Sequence, residues 1–465
     1  MRSFLQAWII LTFTAGLSAC AHVARIPATI HRSWIVTKSA LLPPSKRKSK
    51  ATAVPPRYAA NTATLHVTFG LQVTGVTRLP PDFEPDMSRP PIWLGGSEVG
   101  VIGARVGKGM MLAFSGRGLS QERVVIEDNG AAAPGGQLLD VAANGRTLAT
   151  AVESDSRDRL DVNLSNASNL TSVARIASLE GEFGSAQLAW TNKQKIALAA
   201  QAVAPSNDDQ NTGTAALPVS GIYLIEIDSK TSIRRMDGVD CRLSLLNFSP
   251  DGTFAVAQGG DNAPPAVIDV HKGACLGFPS RFPLQVLGWA PDSSAFLYRT
   301  AAQDGVFRFN LPAGRSSTVA ISSGAAAFAS DGTIIVFGSQ ELSRRRVVAE
   351  PSAPVKAQIA LFDPHQDLIT INSLGFAIPP ALISESTMVF SQVSNDAIIN
   401  TAIPGPTGLV RELIEYSYPA RAAFILAYGP VRGPIAISWS PDGKQIAIVD
   451  GDANRRCLAV LTPPK

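Results

Sequence analysis

Asn247-Phe248-Ser249-Pro250-Asp251-Gly252 returns along the chain as Gly288-Trp289-Ala290-Pro291-Asp292, as Phe328-Ala329-Ser330-Asp331-Gly332 and as Ser438-Trp439-Ser440-Pro441-Asp442-Gly443. An apolar run leads into each copy, and a second one, such as Phe254-Ala255-Val256-Ala257, leads out. Proline presets φ for the second position of a turn, aspartate bonds its own backbone two residues on, and glycine accepts positive φ. The unit is therefore a β-hairpin that cannot bury both faces alone and must stack against copies of itself.

Weaker copies keep the strand, turn, strand pattern without the full motif. They are Val141-Ala142-Ala143-Asn144-Gly145, Leu188-Ala189-Trp190-Thr191-Asn192-Lys193, Leu382-Ile383-Ser384-Glu385-Ser386 and Arg105-Val106-Gly107-Lys108-Gly109, each followed by a short apolar run. Most turn positions lie roughly 40 to 60 residues apart, a period that suits four-stranded propeller blades. A third strand follows most hairpins, clearest in Gly221-Ile222-Tyr223-Leu224-Ile225-Glu226-Ile227-Asp228. The outer fourth strand is inferred.

These repeats resemble the WD-like Ser-Pro-Asp-Gly repeats of TolB-type bacterial β-propellers over roughly residues 95 to 462. The expected fold is an all-β propeller of four-stranded blades. Seven blades fit best, with six or eight compatible, because the copy around Lys108 lies only 36 residues before Asn144. The last repeat stops after Cys457-Leu458-Ala459-Val460-Leu461. The resemblance implies that a segment from the N-terminal side completes it and removes an exposed edge; Thr64-Leu65-His66-Val67-Thr68-Phe69 alternates suitably. The family's separate N-terminal α/β domain has no counterpart in the preceding tail.

Hydrophobic residues make up 45% of the 465, with 38 glycines and 33 prolines, which fits many short strands joined by turns. Domain organisation reads as a signal peptide over 1–19, a Pro-rich basic tether over 20–80 and the propeller over 81–465. Arg2, an apolar run from Leu5 to Gly16, and Leu17-Ser18-Ala19-Cys20 match a bacterial lipobox. The apolar run is short for a membrane span. That resemblance implies cleavage before Cys20 and acylation of it, and Ala21-His22 after the cysteine resembles outer-membrane sorting, with the protein facing the periplasm. A plain secretory signal cut near Ala21 is the competing reading.

The net charge of +4 conceals a split. Ten of the 41 basic residues fall before Asp82, the first acidic residue, so the body carries 31 basic against 37 acidic groups. The tail either lies against anionic headgroups or a wall polymer, or serves as a solvated spacer. An acidic body without a basic, aromatic patch argues against nucleic acid.

No chemistry-bearing constellation assembles. The five histidines are scattered, no Cys-x-x-Cys exists, and the mature chain holds neither a Gly-x-Ser-x-Gly elbow nor a phosphate-binding loop. No cofactor or metal is expected. Asp450-Gly451-Asp452-Ala453-Asn454 and Gly260-Asp261-Asn262 lack calcium-loop spacing. Asp251, Asp292, Asp331 and Asp442 read as caps of their own turns, not as a catalytic ring. Trp190, Phe248, Trp289, Phe328 and Trp439 are expected to pack between blades. A Cys241–Cys275 disulfide stays open, though the two flank strands that favour opposite ends of a blade.

The expected role is a lipid-anchored scaffold of the cell envelope that binds another envelope protein or a wall-associated ligand. The rivals are a propeller lyase or hydrolase acting in the central channel and a small-ligand sensor. Long insertions such as Ala202–Pro218 mark rim loops as the first place to look.

Overall fold

Alternation along each strand sends successive side chains to opposite faces, and in this chain both faces are apolar. In Ile446-Ala447-Ile448-Val449, Ile446 and Ile448 enter one core while Ala447 and Val449 enter the next. A sheet with two apolar faces needs a neighbour on each side, and a ring supplies both. The computed structural model realises this. It describes residues 62–64, 67–68 and 72–463, apart from several short stretches of which the longest are 128–135, 204–219, 237–242 and 340–353.

Eight antiparallel sheets follow one another along the chain. Blade 1 spans Phe83–Glu127, blade 2 Gly136–Glu180, blade 3 Phe183–Arg235 and blade 4 Leu243–Leu276. Blade 5 spans Leu284–Ala320, blade 6 Ser323–Ile378 and blade 7 Thr387–Pro430. Blade 8 takes three strands from Ala436–Thr462 and its outer strand from Gln72–Arg78. Eight apolar cores alternate with the eight sheets, each shared by two consecutive blades. The core that joins Ala436, Val449 and Leu458 of blade 8 to Phe83, Val101 and Leu112 of blade 1 closes the ring.

The count is eight, not the favoured seven, and blade 1 explains the difference. Its inner strand is split into Phe83–Pro85 and Ile92–Gly95, which pair with two parts of Glu98–Arg105. The hairpin turn of this blade therefore lies between Gly95 and Glu98. The turn at Arg105 to Lys108 joins the second strand to the third. Moving the turn from Lys108 to Gly95 restores the period and makes room for a complete blade.

Ring closure by an N-terminal segment is present, carried by a later stretch than Thr64–Phe69. Val76 pairs antiparallel with Ala459 in the blade 8 sheet. Upstream, Thr62–Thr64 adds in parallel to the outer strand of blade 6, and Val67–Thr68 to that of blade 7. The outer strand Gln72–Arg78 thus comes from within the stretch assigned to the tether. No helix among the described residues is long and apolar enough to cross a membrane. Cys20, Cys241 and the signal segment lie outside the described residues.

Candidate functional site

The two rims of the ring are built differently, beginning with the motif turns. Asp251 accepts from the Thr253 N–H (2.9 Å) and the Ser249 hydroxyl (2.7 Å). Asp292 accepts from the N–H and hydroxyl of Ser294 (3.0 and 2.7 Å). Asp331 accepts from the Thr333 N–H (2.9 Å), and Asp442 from the Ser440 hydroxyl (2.6 Å) and the Lys444 N–H (3.1 Å). Burial opposes ionisation of Asp251 and Asp331, yet these hydrogen bonds, with Tyr418 added at Asp331, hold both below the usual carboxylate range. Ser294 does the same for Asp292, and Ser440 for Asp442. Oxygens so engaged within their own turns are poor metal ligands or bases.

The same turns also interlock from blade to blade. The Asp251 N–H donates to Ser293 Oγ of blade 5 (3.2 Å), and the Ser330 N–H of blade 6 to Asn395 Oδ1 of blade 7 (3.2 Å). Gly252 has φ +72°, and a Cβ there would lie 2.8 Å from the Thr191 carbonyl oxygen of blade 3. Tyr418 of blade 7 donates its hydroxyl to Asp331 of blade 6 at 2.6 Å. These contacts tie neighbouring blades together along this rim.

Aromatic residues at the ends of inner strands reach backward in sequence. Trp190 Nε1 donates to the Ala142 carbonyl (3.2 Å), Trp289 to Asn247 Oδ1 (2.6 Å) and Trp439 to the Val389 carbonyl (2.9 Å). Phe328 is buried beneath the Arg308 guanidinium, 5.8 Å from its ring centre, and Phe248 packs on the core between blades 3 and 4. Trp93 holds the matching station in blade 1. Its aromatic-then-glycine run Trp93-Leu94-Gly95-Gly96 was the signal that could have located the missed turn.

At the opposite rim the connections vary, from two-residue turns in blades 1, 5 and 7 to two long ones. Eighteen residues separate Ala202 from Gly221 in blade 3, and fifteen separate Ser339 from Val355 in blade 6. A short helix, Pro380–Ser384, leads into blade 7 and lies so close to the start of blade 6 that a Cβ on Gly324 would sit 1.5 Å from the Ile383 carbonyl oxygen. Arg299 of blade 5 ties these pieces together. Its guanidinium donates to Gln285 Oε1 (2.6 Å), to the Gly324 carbonyl (2.9 Å) and to the Ser384 carbonyl. Burial pulls its pKa below the ordinary arginine value. Phe282 and Leu409 present exposed apolar side chains on this side, Phe282 at 55%.

Between blades, several ionisable groups are buried. Asp140 accepts from the N–H groups of Val141 and Leu188 (both 2.6 Å) and pairs with Arg89, so it pins the inner strands of blades 2 and 3. Burial nevertheless pushes its pKa upward. Glu415, 2% exposed, is pushed to about 8, first by burial and then by the charge of Asp396. Burial alone pushes Glu412 to about 7. Nothing in the sequence singles out either residue, because charges interrupt the apolar run in Gly408–Ser417. Among the described residues no group of three or more His, Cys, Asp or Glu is placed to hold a metal ion. His271 and His365 lie exposed, Cys275 is exposed and Cys457 is buried.

No family model matches the sequence, and no curated relative does. Solved structures similar in fold include TolB from Acinetobacter baumannii, 12% identical over 80% of this chain and 78% of that one, with a TM-score of 0.29. Sqt1 from Chaetomium thermophilum is 11% identical, covers 85% of this chain and 100% of its own, and has a TM-score of 0.45. A structure from a study of two prolyl endopeptidases is 14% identical over 82% of this chain, with a TM-score of 0.43, and this chain spans 55% of its length. At such values no residue, ligand or activity transfers.

Proposed function

We propose that the ring is a partner-binding platform of the bacterial cell envelope, held to a membrane by acyl chains on Cys20, with the outer membrane and a periplasmic orientation as the intended site. The Leu17-Ser18-Ala19-Cys20 lipobox supports the anchoring. A few acyl chains hold a protein far more firmly than one. The observation that carries the binding role is the asymmetry of the rims. One carries self-capped, interlocked turns; the other bears the long connections, the helix held by Arg299 and the exposed Phe282 and Leu409. Rigid strands that present variable connections on one side form a common recognition architecture. The partner is an envelope protein or a wall-associated ligand.

Recovery of the acylated protein from its native envelope after mild cross-linking tests this. Phe282→Asp with Leu409→Asp should abolish the co-purifying partner, while Val393→Asp, at an exposed turn on the interlocked rim, should leave it bound. Loss through Val393→Asp alone would assign binding to the wrong rim and end the proposal.

A further inference from the structure

The outer edges of the blades are protected unequally. An open edge strand presents unpaired N–H and C=O groups, and proteins defend it with charge, brevity or cover. Blade 1 ends in Gln121–Glu127, with three charged residues, and blade 2 in Asn169–Glu180, with Arg175 and Glu180. Blade 3 ends in Ser232–Arg235, half arginine, and blade 5 in Arg315–Ala320. Blade 4 has an outer strand of only three residues, Ala274–Leu276.

Blades 6 and 7 depart from this rule. Leu368–Ile378 runs for 11 residues and Ala422–Pro430 for 9, and neither contains a charged side chain. On these two edges the chain lays its own N-terminal strap. Thr62, Ala63 and Thr64 pair in parallel with Ile371, Asn372 and Ser373, and Val67 and Thr68 with Ala423 and Phe424. Thr62–Thr64 lies on the edge of blade 6 and Val67–Thr68, two residues further on, lies on the edge of blade 7.

We infer that these two neighbouring edges form a strand-docking surface for an extended, uncharged segment of a partner protein, which adds in the parallel register of the strap and displaces it. The chemistry of the occupant is set by the present one: two uncharged, β-prone runs of three and two residues, two residues apart. Main-chain pairing supplies the affinity in such additions, and alternate side chains supply the selectivity. The strap is held by short pairings and joined through residues 69–71 to the seven-residue strand that closes blade 8. That tether keeps it at an effective concentration on the order of millimolar. A partner must therefore outcompete a local, weakly paired strand. This surface is separate from the rim proposed above.

The test uses the full mature chain and a fluorescein-labelled peptide of residues 60–70. Ala63→Pro with Val67→Pro removes strap N–H groups and disfavours strand pairing. Fluorescence anisotropy should show the variant binding the peptide at least tenfold more tightly than the parent, with no binding of the peptide that carries the same two prolines. Equal binding by variant and parent would overturn the inference. So would a variant that associates with itself in sedimentation yet ignores the peptide, which would give the edges to a second copy. Should the variant not fold, the unaltered chain decides. One millimolar peptide should increase deuterium uptake across residues 62–68, and unchanged uptake would overturn the proposal.

Discussion

Replacing Gly252 with alanine tests whether the motif turns lock blades to one another or merely reverse their own strands. Gly145 provides the control, because it occupies the hairpin turn of blade 2 with φ +61° and open space where a Cβ would go. Alanine at position 145 meets only the strain of the left-handed region, about 1 kcal/mol, partly offset by a less flexible unfolded chain. Alanine at position 252 meets that strain plus the Thr191 backbone, with the carbonyl oxygen 2.8 Å and the carbonyl carbon 3.2 Å from the new Cβ. Main chain cannot swing aside as a side-chain tip does, so overpacking adds roughly 1–3 kcal/mol. Urea unfolding analysed at a common slope should place Gly252→Ala below Gly145→Ala by at least about 1 kcal/mol. Equal midpoints for the two variants would refute the interlocking role.

Other expectations follow from the same geometry. Glu415 has a folded pKa of about 8 against an ordinary value of 4.5, so its share of stability is complete below pH 4.5 and disappears as pH rises through 8. Glu415→Gln should therefore be more stable than the parent at pH 9 by an amount on the order of 3 kcal/mol, with the gap closing by pH 5, as measured by chemical unfolding at both values. Tyr418→Phe deletes the hydroxyl shared by Asp331 and Thr333 and should cost about 1 kcal/mol, read from the same unfolding curves. Cys20→Ser should abolish incorporation of an alkyne-labelled fatty acid and move the protein from the membrane fraction to the soluble fraction; retained label would refute lipidation at this residue.

The repeat was legible because each Pro-Asp-Gly turn satisfies itself locally, so its sequence needs no knowledge of the neighbour. Blade number was harder to read. The inner strand of blade 1 is interrupted between Pro85 and Ile92, and an interrupted strand shows no alternation to count. The closing strand was misplaced by a few residues for a related reason. Thr64–Phe69 and Gln72–Arg78 alternate equally well, and only the geometry of a closed ring decides which of them meets Cys457–Thr462. Glu412 and Glu415 escaped notice because a strand buried on both faces looks, when charges interrupt it, like a strand at the surface. The candidate rim was foreshadowed by the insertion after Ala202, whereas Arg299 was not, since its partners are main-chain carbonyls far away in sequence.

A crystal structure of the mature protein, viewed along the ring axis, bears most directly on the whole account. Eight radial sheets are expected, with Gln72–Arg78 hydrogen-bonded to Cys457–Thr462 as the outer strand of the eighth. Seven sheets, or a last blade closed by residues from elsewhere in the chain, would contradict it.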